Sequence, residues 1–419
     1  MRIASISLYS YPDKKNRVKR IFTHEQALAF QKSGVEIEVF DIDCNRDIYS
    51  DYDIEDFEGI KVHRIKPPVV RNWRSFIRTI FSPIAIIKII KFKYYIRNYM
   101  KENTFDAILL NFLLPQYLMY LKDFSITNPQ ICLTAHGTDA AAKWDGFLAG
   151  WMKNILLRKC DLIFPVSEYT DILLSHTIKR NSKNNKNIII NYNGVNEDKF
   201  VNAEKLGKTK CRDELGIENE KFVLLTICDL VERKGVDILL KALGELKDNG
   251  FSNFLHIIIG KGSEGEKLTK LVNELEIQDN IRFIDYLPSD DNIGIYYKAA
   301  DIYSMISKTI YEPTFETEGF GISYIEASYL GLPVIGGSHG GSTTAVKHGF
   351  TGYLVDPNKK NCPTIIANYI KTLHDDKNEY SRISDNGKRM VREEFLWSHH
   401  VQRFKKPLLI SKNTLLIDR

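Results

Sequence analysis

The chain contains, in its C-terminal half, the stretch Glu318-Gly-Phe-Gly-Ile-Ser-Tyr-Ile-Glu326. A glycine-containing turn follows the first glutamate, and a helical run leads to the second. A carboxylate can accept two hydroxyl hydrogen bonds, which suits the vicinal diol of a ribose or a hexose, and the free N–H groups of a helix N-terminus attract phosphate. Two solvated glutamates on an amphipathic helix would have the same spacing, so the surrounding sequence must decide between a ligand site and a plain helix.

On both sides of this stretch, short β-branched runs alternate with longer helical runs. This alternation predicts βαβ units and parallel sheets. Helices are predicted at 236–246, 266–275 and 322–330. Strands are predicted at 2–8, 36–41, 107–111, 130–134, 162–166, 187–191, 222–227, 255–259, 281–285, 301–305, 333–335 and 352–355.

A polar stretch at 199–210 interrupts the alternation and predicts a domain boundary near Asn196. We therefore expect an N-terminal domain over 1–196, a C-terminal domain over 197–397, and a final helix over about 398–419 that packs back on the first domain. Ligands of open α/β sheets bind beyond the carboxyl ends of the strands, so the chemistry is expected in a cleft between two such domains.

Composition narrows the class of protein. A length of 419 residues and 43% hydrophobic content suit two packed domains. Six scattered cysteines without a Cys-x-x-Cys pair argue against a disulfide framework or a zinc site. The first predicted strand leaves no room for a signal segment, and no apolar run approaches the ~20 residues of a membrane span. These features predict a cytoplasmic protein.

Further motifs accompany the glutamate pair in order and give it a family resemblance. They are Leu230-Val-Glu-Arg-Lys-Gly235, Gly331-Leu-Pro-Val-Ile335, Gly340-Gly341 and Gly349-Phe-Thr-Gly-Tyr-Leu-Val355. With Glu318 and Glu326 they closely resemble the C-terminal half of the family 4 retaining glycosyltransferases, over nearly all of 222–356. The N-terminal half resembles the family more loosely, through Thr134-Ala-His-Gly-Thr-Asp139 and Asn193-Gly-Val-Asn-Glu-Asp-Lys-Phe200.

The resemblance implies a fold and a set of residue roles. The fold is GT-B: α/β, with two Rossmann-like, doubly wound parallel-sheet domains that face an interdomain cleft. Lys234 would bind the donor diphosphate, Glu326 would hold the ribose hydroxyls, and Glu318 would contact the donor sugar. The amides of Gly319, Phe320 and Gly321 would contact sugar or phosphate. His136, at the end of a predicted strand, is expected to line the reaction centre, although a lone histidine there is more often structural.

The sequence departs from the family pattern at Cys228-Asp229-Leu230, where members usually carry Gly-Arg-Leu. An acid beside a diphosphate would be repelled. Either Arg233 supplies the missing positive charge, or Asp229 turns toward a sugar hydroxyl or the nucleobase. Thr344 also replaces a common family acid, which leaves the choice of donor and acceptor open.

Two strings in the sequence suggest other cofactors. Gly260-Lys-Gly-Ser-Glu-Gly265 matches a dinucleotide-binding fingerprint, but it follows what reads as the second strand of its domain and not the first. Asp41-Ile-Asp43 spells a metal-binding Asp-x-Asp, but it ends an N-terminal strand away from the predicted donor loops. We therefore expect no NAD site and no required metal.

A basic segment is the remaining unusual feature. Residues 59–101 hold eleven Lys or Arg and no Asp or Glu. A helix over 85–100 would place Ala85, Ile89, Phe92, Ile96, Tyr99 and Met100 on one face. Two interpretations stay open: a core-facing helix with a solvated basic back, or a surface over 71–101 that binds anionic lipid. The segment lacks a nucleic-acid recognition module, so nucleic acid is not an expected partner.

The resemblance implies transfer of a hexose-type sugar from a UDP- or GDP-sugar to a glycan, lipid-linked or other acceptor, with retention of anomeric configuration. Such an enzyme would belong to cell-surface polysaccharide biosynthesis, in the cytoplasm or on the inner face of the membrane. The alternative is a catalytically degenerate GT-B protein that binds a sugar nucleotide or glycan, or partners an active transferase.

Overall fold

The computed structural model describes residues 1–8, 11–13, 20–42, 52–65, 83–141, 146–177, 187–285, 287 and 293–417. The chain divides into two compact units. The N-terminal unit consists of Met1–Asn191 and His400–Arg419, and the C-terminal unit of Tyr192–His399. The division thus lies a few residues before Asn196 in the sequence.

The N-terminal unit is built on an eight-stranded sheet in the order β3-β4-β2-β1-β5-β6-β7-β8. All neighbours pair in parallel except β3 and β4. The inner strands are buried along nearly their whole length, as parallel strands covered on both faces are. The strands are β1 (Arg2–Leu8), β2 (Glu36–Ile42), β3 (Tyr52–Phe57), β4 (Ile60–Ile65), β5 (Ala107–Asn111), β6 (Gln130–Ala135), β7 (Leu162–Pro165) and β8 (Asn187–Ile188).

Helices cover this sheet, and a C-terminal helix completes its core. Phe404 of that helix packs against Phe30 and Phe164, with ring centroids 5.0 and 4.8 Å apart. Gln26 and His400 form a buried hydrogen bond of 2.8 Å. The helices are α1 (Ile21–Lys32), α2 (Pro83–Glu102), α3 (Leu121–Phe124), α4 (Phe147–Lys159), α5 (Glu168–Thr177) and the C-terminal helix, which is numbered α15 (Trp397–Ile417).

The C-terminal unit has a six-stranded, all-parallel sheet in the order β11-β10-β9-β12-β13-β14. Renumbered from its first strand, this is the doubly wound order 3-2-1-4-5-6 of nucleotide-binding folds. The strands are β9 (Phe222–Ile227), β10 (Phe254–Ile259), β11 (Ile281–Ile284), β12 (Ile302–Met305), β13 (Val334–Gly337) and β14 (Gly352–Val355).

The helices of this unit bury apolar stripes against the sheet. In α8, for example, Leu239, Leu240 and Leu243 are fully buried. The helix α14 begins where the Asp376 side chain accepts hydrogen bonds from two backbone N–H groups. The helices are α6 (Val201–Leu206), α7 (Lys208–Glu214), α8 (Val236–Asp248), α9 (Gly265–Glu274), α10 (Ile293–Ala299), α11 (Ile322–Tyr329), α12 (Ser342–Ala345), α13 (Cys362–Asp375) and α14 (Lys377–Glu394).

The prediction of two parallel-sheet α/β domains is confirmed, with one omission. The strands β3 and β4 form an antiparallel hairpin at the sheet edge, joined by Glu58 and Gly59, which both have positive φ. In β3 only Phe57 is buried, because an edge strand with an exposed face needs few apolar residues. Its acidic sequence therefore carries little strand signal.

Candidate functional site

The carboxyl ends of β9 and β12 form a switch point in the C-terminal sheet. β9 and β12 are neighbours in the sheet, and the strands that follow them in the chain, β10 and β13, lie on opposite sides of this pair. The loops after β9 and β12 therefore run in opposite directions. Such a crevice is where doubly wound folds bind ligands. The loop after β9 carries Arg233 and Lys234, and the loop after β12 carries Glu318.

An ion-pair cluster joins these two loops. Lys234 Nζ lies 2.7 Å from Glu318 Oε2, and Arg233 Nη1 lies 3.4 Å from the same oxygen. The side chains of Lys234 and Glu318 are only 12% and 14% exposed. Burial alone would raise the pKa of Glu318, but Lys234 and Arg233 outweigh it and hold the pKa below its ordinary value. The carboxylate is therefore ionised at neutral pH.

Close backbone packing holds the loops in this arrangement. The Lys308 N–H donates to the Arg233 carbonyl at 2.8 Å, and the Gly341 N–H donates to the Glu318 carbonyl at 2.7 Å. A Cβ atom at Gly341 would lie 2.0 Å from the Gly319 carbonyl oxygen, and one at Gly235 would lie 2.1 Å from that of Ile306. These glycines are required because the loops touch each other.

The helix α11 begins beside Glu318, and its preceding residues offer backbone groups. The Phe320 ring is 2% exposed and packs against Tyr192 and Phe395. The contribution of Phe320 to a site is thus its backbone, which hydrogen-bonds to the Glu318 carboxylate. Gly321 has a φ of 98°, and a Cβ there would meet the Tyr324 ring at 2.4 Å. The helix N-terminus therefore lies against the ion-pair cluster.

Glu326 has a separate set of partners. It lies in α11 with 6% exposure. Tyr297 donates its hydroxyl hydrogen to Glu326 Oε2 at 3.0 Å, and Lys199 Nζ lies 3.3 Å from Oε1. The structure therefore divides the predicted glutamate pair between two cationic environments. Sequence analysis did not assign Lys199 or Tyr297 to the site, although Lys199 lies within the quoted Asn193–Phe200 motif.

His136 lies in the N-terminal unit, directly after β6. Both of its ring nitrogens are shielded from solvent and have no hydrogen-bond partner among the described residues. Its ring lies 4.4 Å from that of Phe112 and 5.0 Å from that of Phe22. Burial, assisted by Arg20, lowers the pKa of His136 to about 3, so the imidazole is neutral at pH 7. A neutral imidazole can orient a hydroxyl group.

The structure shows the surroundings of three positions for which the sequence allowed another interpretation: Asp229, Gly260 and Asp41. Asp229 is exposed. In the Gly-x-Gly string, a Cβ at Gly260 would lie 1.9 Å from the Cys228 carbonyl oxygen, so this glycine allows two loops to pack. Asp41 is fully buried, and its carboxylate accepts hydrogen bonds from Arg64 and from the Tyr11 backbone. Within the described ranges, no group of three His, Cys, Asp or Glu side chains could hold a metal ion.

The basic helix α2 combines a buried half with an exposed apolar stripe. Its buried face includes Phe92, Ile96 and Met100, as predicted. Lys93 and Arg97 pair with the buried Asp123 at 3.7 and 2.5 Å. The exposed apolar residues are Ile86, Ile87, Ile90 and Tyr94, which are 41%, 53%, 61% and 69% exposed. Residues 71–82 of the proposed basic surface lie outside the described residues. None of the described helices is apolar and long enough to span a bilayer.

Two family models match the chain. The model described as Glycosyltransferase Family 4 matches residues 21–199, and the model described as Glycosyl transferases group 1 matches residues 207–390. The chain belongs to the family 4 glycosyltransferases. The first match lies mostly in the N-terminal unit and the second lies within the C-terminal unit, so both units carry the family pattern.

Curated relatives of this family 4 chain match it over part of their length. A GDP-mannose-dependent alpha-(1-6)-phosphatidylinositol monomannoside mannosyltransferase of Mycolicibacterium smegmatis is 31% identical over 163 residues, or 39% of this chain and 41% of the relative. Mannosylfructose-phosphate synthase of Agrobacterium fabrum is 26% identical over 256 residues, or 59% and 53%. The matched stretches thus span about half of these relatives or less.

Solved structures match over nearly the whole chain. Sucrose-phosphate synthase from Thermosynechococcus elongatus superposes with a TM-score of 0.74 at 18% identity, with both chains covered to 100%. Anabaena HepE, solved in complex with UDP and glucose, superposes with a TM-score of 0.70 at 17% identity, with 97% and 98% covered. At these identities the likeness establishes the GT-B fold, as predicted.

Proposed function

We propose that this chain transfers a hexose-type sugar from a nucleoside-diphosphate sugar to an acceptor. One observation carries the proposal: Lys234 and Arg233 converge on Glu318 at the switch point of the C-terminal sheet. A diphosphate carries more negative charge than the single Glu318 carboxylate, so it is a stronger partner for the buried ammonium of Lys234. Donor binding would release Glu318 toward the sugar.

The mechanism we propose relies on positioning and electrostatics. Lys234 and Arg233 neutralise the charge that develops on the leaving diphosphate, and the amides of Gly319 to Gly321 assist them. Glu318 orients the donor sugar, and Glu326 holds the ribose. For His136 of the N-terminal unit, we propose that its neutral imidazole orients a hydroxyl of a reacting group. In the retaining mechanism that we propose, the acceptor attacks an oxocarbenium-like state on the face that the diphosphate leaves, so no enzymic nucleophile is required.

The donor nucleotide we propose is UDP or GDP, and no metal is assigned to the site. Relatives support this choice through a GDP-mannose-dependent enzyme and through a structure with UDP and glucose. The phosphatidylinositol monomannoside in the relative's name supports a glycan or lipid-linked acceptor for this chain. We place the enzyme in cell-surface polysaccharide biosynthesis, in the cytoplasm.

We also propose that the N-terminal unit contacts the anionic inner face of a membrane through residues 71–101. The exposed Ile86, Ile87 and Ile90 of α2 and the excess of lysine and arginine support this contact, because apolar insertion and headgroup attraction act together. The pairing of Lys93 and Arg97 with Asp123 lowers the basic charge that remains for lipid.

The transfer proposal is tested with a panel of UDP- and GDP-sugars. Wild-type protein should be stabilised against heat by one nucleotide class and should release the corresponding nucleoside diphosphate when an acceptor is supplied. NMR of the product should give the donor's anomeric configuration. Binding without turnover of any donor, under all acceptors tried, would favour the degenerate binding protein. Inversion would refute the retaining mechanism.

The membrane contact is tested by sedimentation with vesicles. Wild type should bind vesicles that contain anionic lipid, less in high salt, and should not bind neutral ones. Ile87→Glu with Ile90→Glu should abolish binding, whereas Ile126→Glu, at a 40% exposed isoleucine of the same unit, should not. Equal binding of the double variant would refute the contact.

A further inference from the structure

The carboxylate of Glu326 is held by two side chains from different parts of the C-terminal unit. Tyr297, which is fully buried in α10, donates to Oε2 at 3.0 Å. Lys199 lies in the helical turn Glu197–Phe200, and its Nζ lies 3.3 Å from Oε1. Three separate segments thus meet at one carboxylate.

The backbone that carries Lys199 is fixed by packing. Phe200, the next residue, is fully buried and contacts the rings of Tyr297 and Tyr329. A Cβ atom at Gly294 would lie 2.8 Å from the Lys199 carbonyl oxygen, so α10 can approach this turn only with glycine at that position. The Lys199 side chain is 10% exposed, and its ammonium group has little freedom to leave the carboxylate.

Burying an ammonium and a carboxylate is costly, and an apolar pair of similar volume is often as stable. An ion pair at such a position therefore suits a role besides stability. We infer that Lys199 is a positioning residue for the donor nucleotide: it holds the Glu326 carboxylate in one orientation, so that the carboxylate accepts hydrogen bonds from the ribose hydroxyls. This inference rests on the proposed function.

The chemistry behind this role is that of charge-assisted hydrogen bonds. An ionised carboxylate accepts from two hydroxyls more strongly than a neutral or reoriented one. The hydroxyl of Tyr297 fixes one oxygen and the ammonium of Lys199 fixes the other, so the carboxylate plane is defined before the ligand arrives. Preorganisation of this kind improves affinity by lowering the ordering cost of binding.

A purely structural ion pair would behave differently from a ribose-positioning one. Loss of a structural pair would lower stability and would weaken all nucleotides alike. Loss of a positioning residue would weaken only ligands that carry the hydroxyls which Glu326 binds. The deciding quantity is the coupling between the Lys199 side chain and the ribose hydroxyls, which a thermodynamic cycle measures.

The experiment is calorimetric titration of UDP and GDP, and of their 2′-deoxy and 3′-deoxy forms, into the full chain. The variants are Lys199→Met, Lys199→Arg and Tyr297→Phe. The control is Lys205→Met, the same change at an exposed lysine in the neighbouring helix α6. Thermal unfolding of each variant gives its folded fraction. If Lys199→Met does not fold, the two single variants Lys199→Arg and Tyr297→Phe still provide the test.

We expect Lys199→Met to weaken binding of the ribonucleotide about tenfold and to leave at least one deoxy form unchanged. Lys199→Arg should keep most of the wild-type affinity. Tyr297→Phe should weaken the ribonucleotide less than Lys199→Met does, again without weakening that deoxy form. The control should match wild type. If Lys199→Met loses the same affinity for ribo and deoxy forms, or loses none, the inference is overturned. Nucleotide binding by wild type in the same experiment would still support the proposed function. Absence of any nucleotide binding by wild type would refute both.

Discussion

Glu38 in the N-terminal unit and Glu318 in the C-terminal unit are both shielded carboxylates that pair with cations, but their partners differ. Glu38 is 4% exposed on its side chain and accepts hydrogen bonds from Arg2, His63 and Tyr99 at 2.5, 2.9 and 2.5 Å. These partners come from β1, β4 and α2. The carboxylate therefore joins a helix to the sheet.

Glu318 has fewer partners and lies where a ligand can replace it. Its cations, Lys234 and Arg233, come from one loop, and that loop stands at the switch point of a doubly wound sheet. We therefore assign Glu38 to the scaffold, because it joins three packed elements, and Glu318 to a ligand site, because it neutralises adjacent loop cations at strand ends. The predictions below separate these two roles.

The largest effect is expected on activity in the C-terminal unit. Lys234→Ala removes the closest cation from the leaving diphosphate and should reduce sugar transfer about 100- to 1,000-fold, as loss of a preorganised charge contact does elsewhere. Steady-state kinetics on each donor give this number. Lys241→Ala, at an exposed lysine of α8, is the matched control and should keep wild-type turnover. Wild-type turnover by Lys234→Ala would contradict the site.

The next effect is expected on stability in the N-terminal unit. Glu38→Gln leaves Arg2 and Lys61 without their buried counter-charge and should lower the free energy of unfolding of this unit by about 3 kcal/mol. Urea unfolding followed by circular dichroism measures the loss, with the two units fitted as separate transitions. Nucleotide binding by the folded protein should be unchanged. If Glu38→Gln lost nucleotide binding without losing stability, Glu38 would belong to a ligand site and not to the scaffold.

A smaller effect follows from the pKa of Glu38, which its hydrogen bonds and charges lower from 4.5 to about 2 although burial opposes them. The folded unit then binds fewer protons than the unfolded one between these values, so stability falls as the pH drops through this window. By pH 3 about 2 kcal/mol should be lost relative to pH 7. The difference in free energy of unfolding between wild type and Glu38→Gln should shrink by this amount from pH 7 to pH 3. A difference that does not change with pH would contradict the prediction.

The smallest effect is expected at Asp229, where the family resemblance leads us to expect an arginine. Because Asp229 is exposed, its repulsion of a diphosphate is screened by solvent. Asp229→Asn should tighten binding of UDP or GDP about two- to threefold at low salt. A tenfold weakening would instead mean that Asp229 contacts the ligand, as one of the sequence-based alternatives holds.

Much of the fold could be predicted from local patterns. The strands β5 and β9 have the predicted bounds, since buried parallel strands read as nearly continuous apolar runs. The exposed edge strand β3 has no such run and was missed, together with its buried hairpin partner β4. The Glu318 cluster could be anticipated because its residues lie in recognisable motifs. The partners of Glu326 could not, because Lys199 and Tyr297 are 98 residues apart in the chain and only tertiary packing brings both to one carboxylate.

The central claim is that the Lys234–Glu318 pair marks the site of the donor diphosphate, and calorimetric titration of UDP and GDP into wild type, Lys234→Ala and Glu318→Gln tests it most directly. The account predicts that one nucleotide binds wild type, that Lys234→Ala weakens it, and that Glu318→Gln tightens it severalfold because the competing carboxylate is gone. Weaker binding in both variants, or no binding by wild type, would contradict the claim.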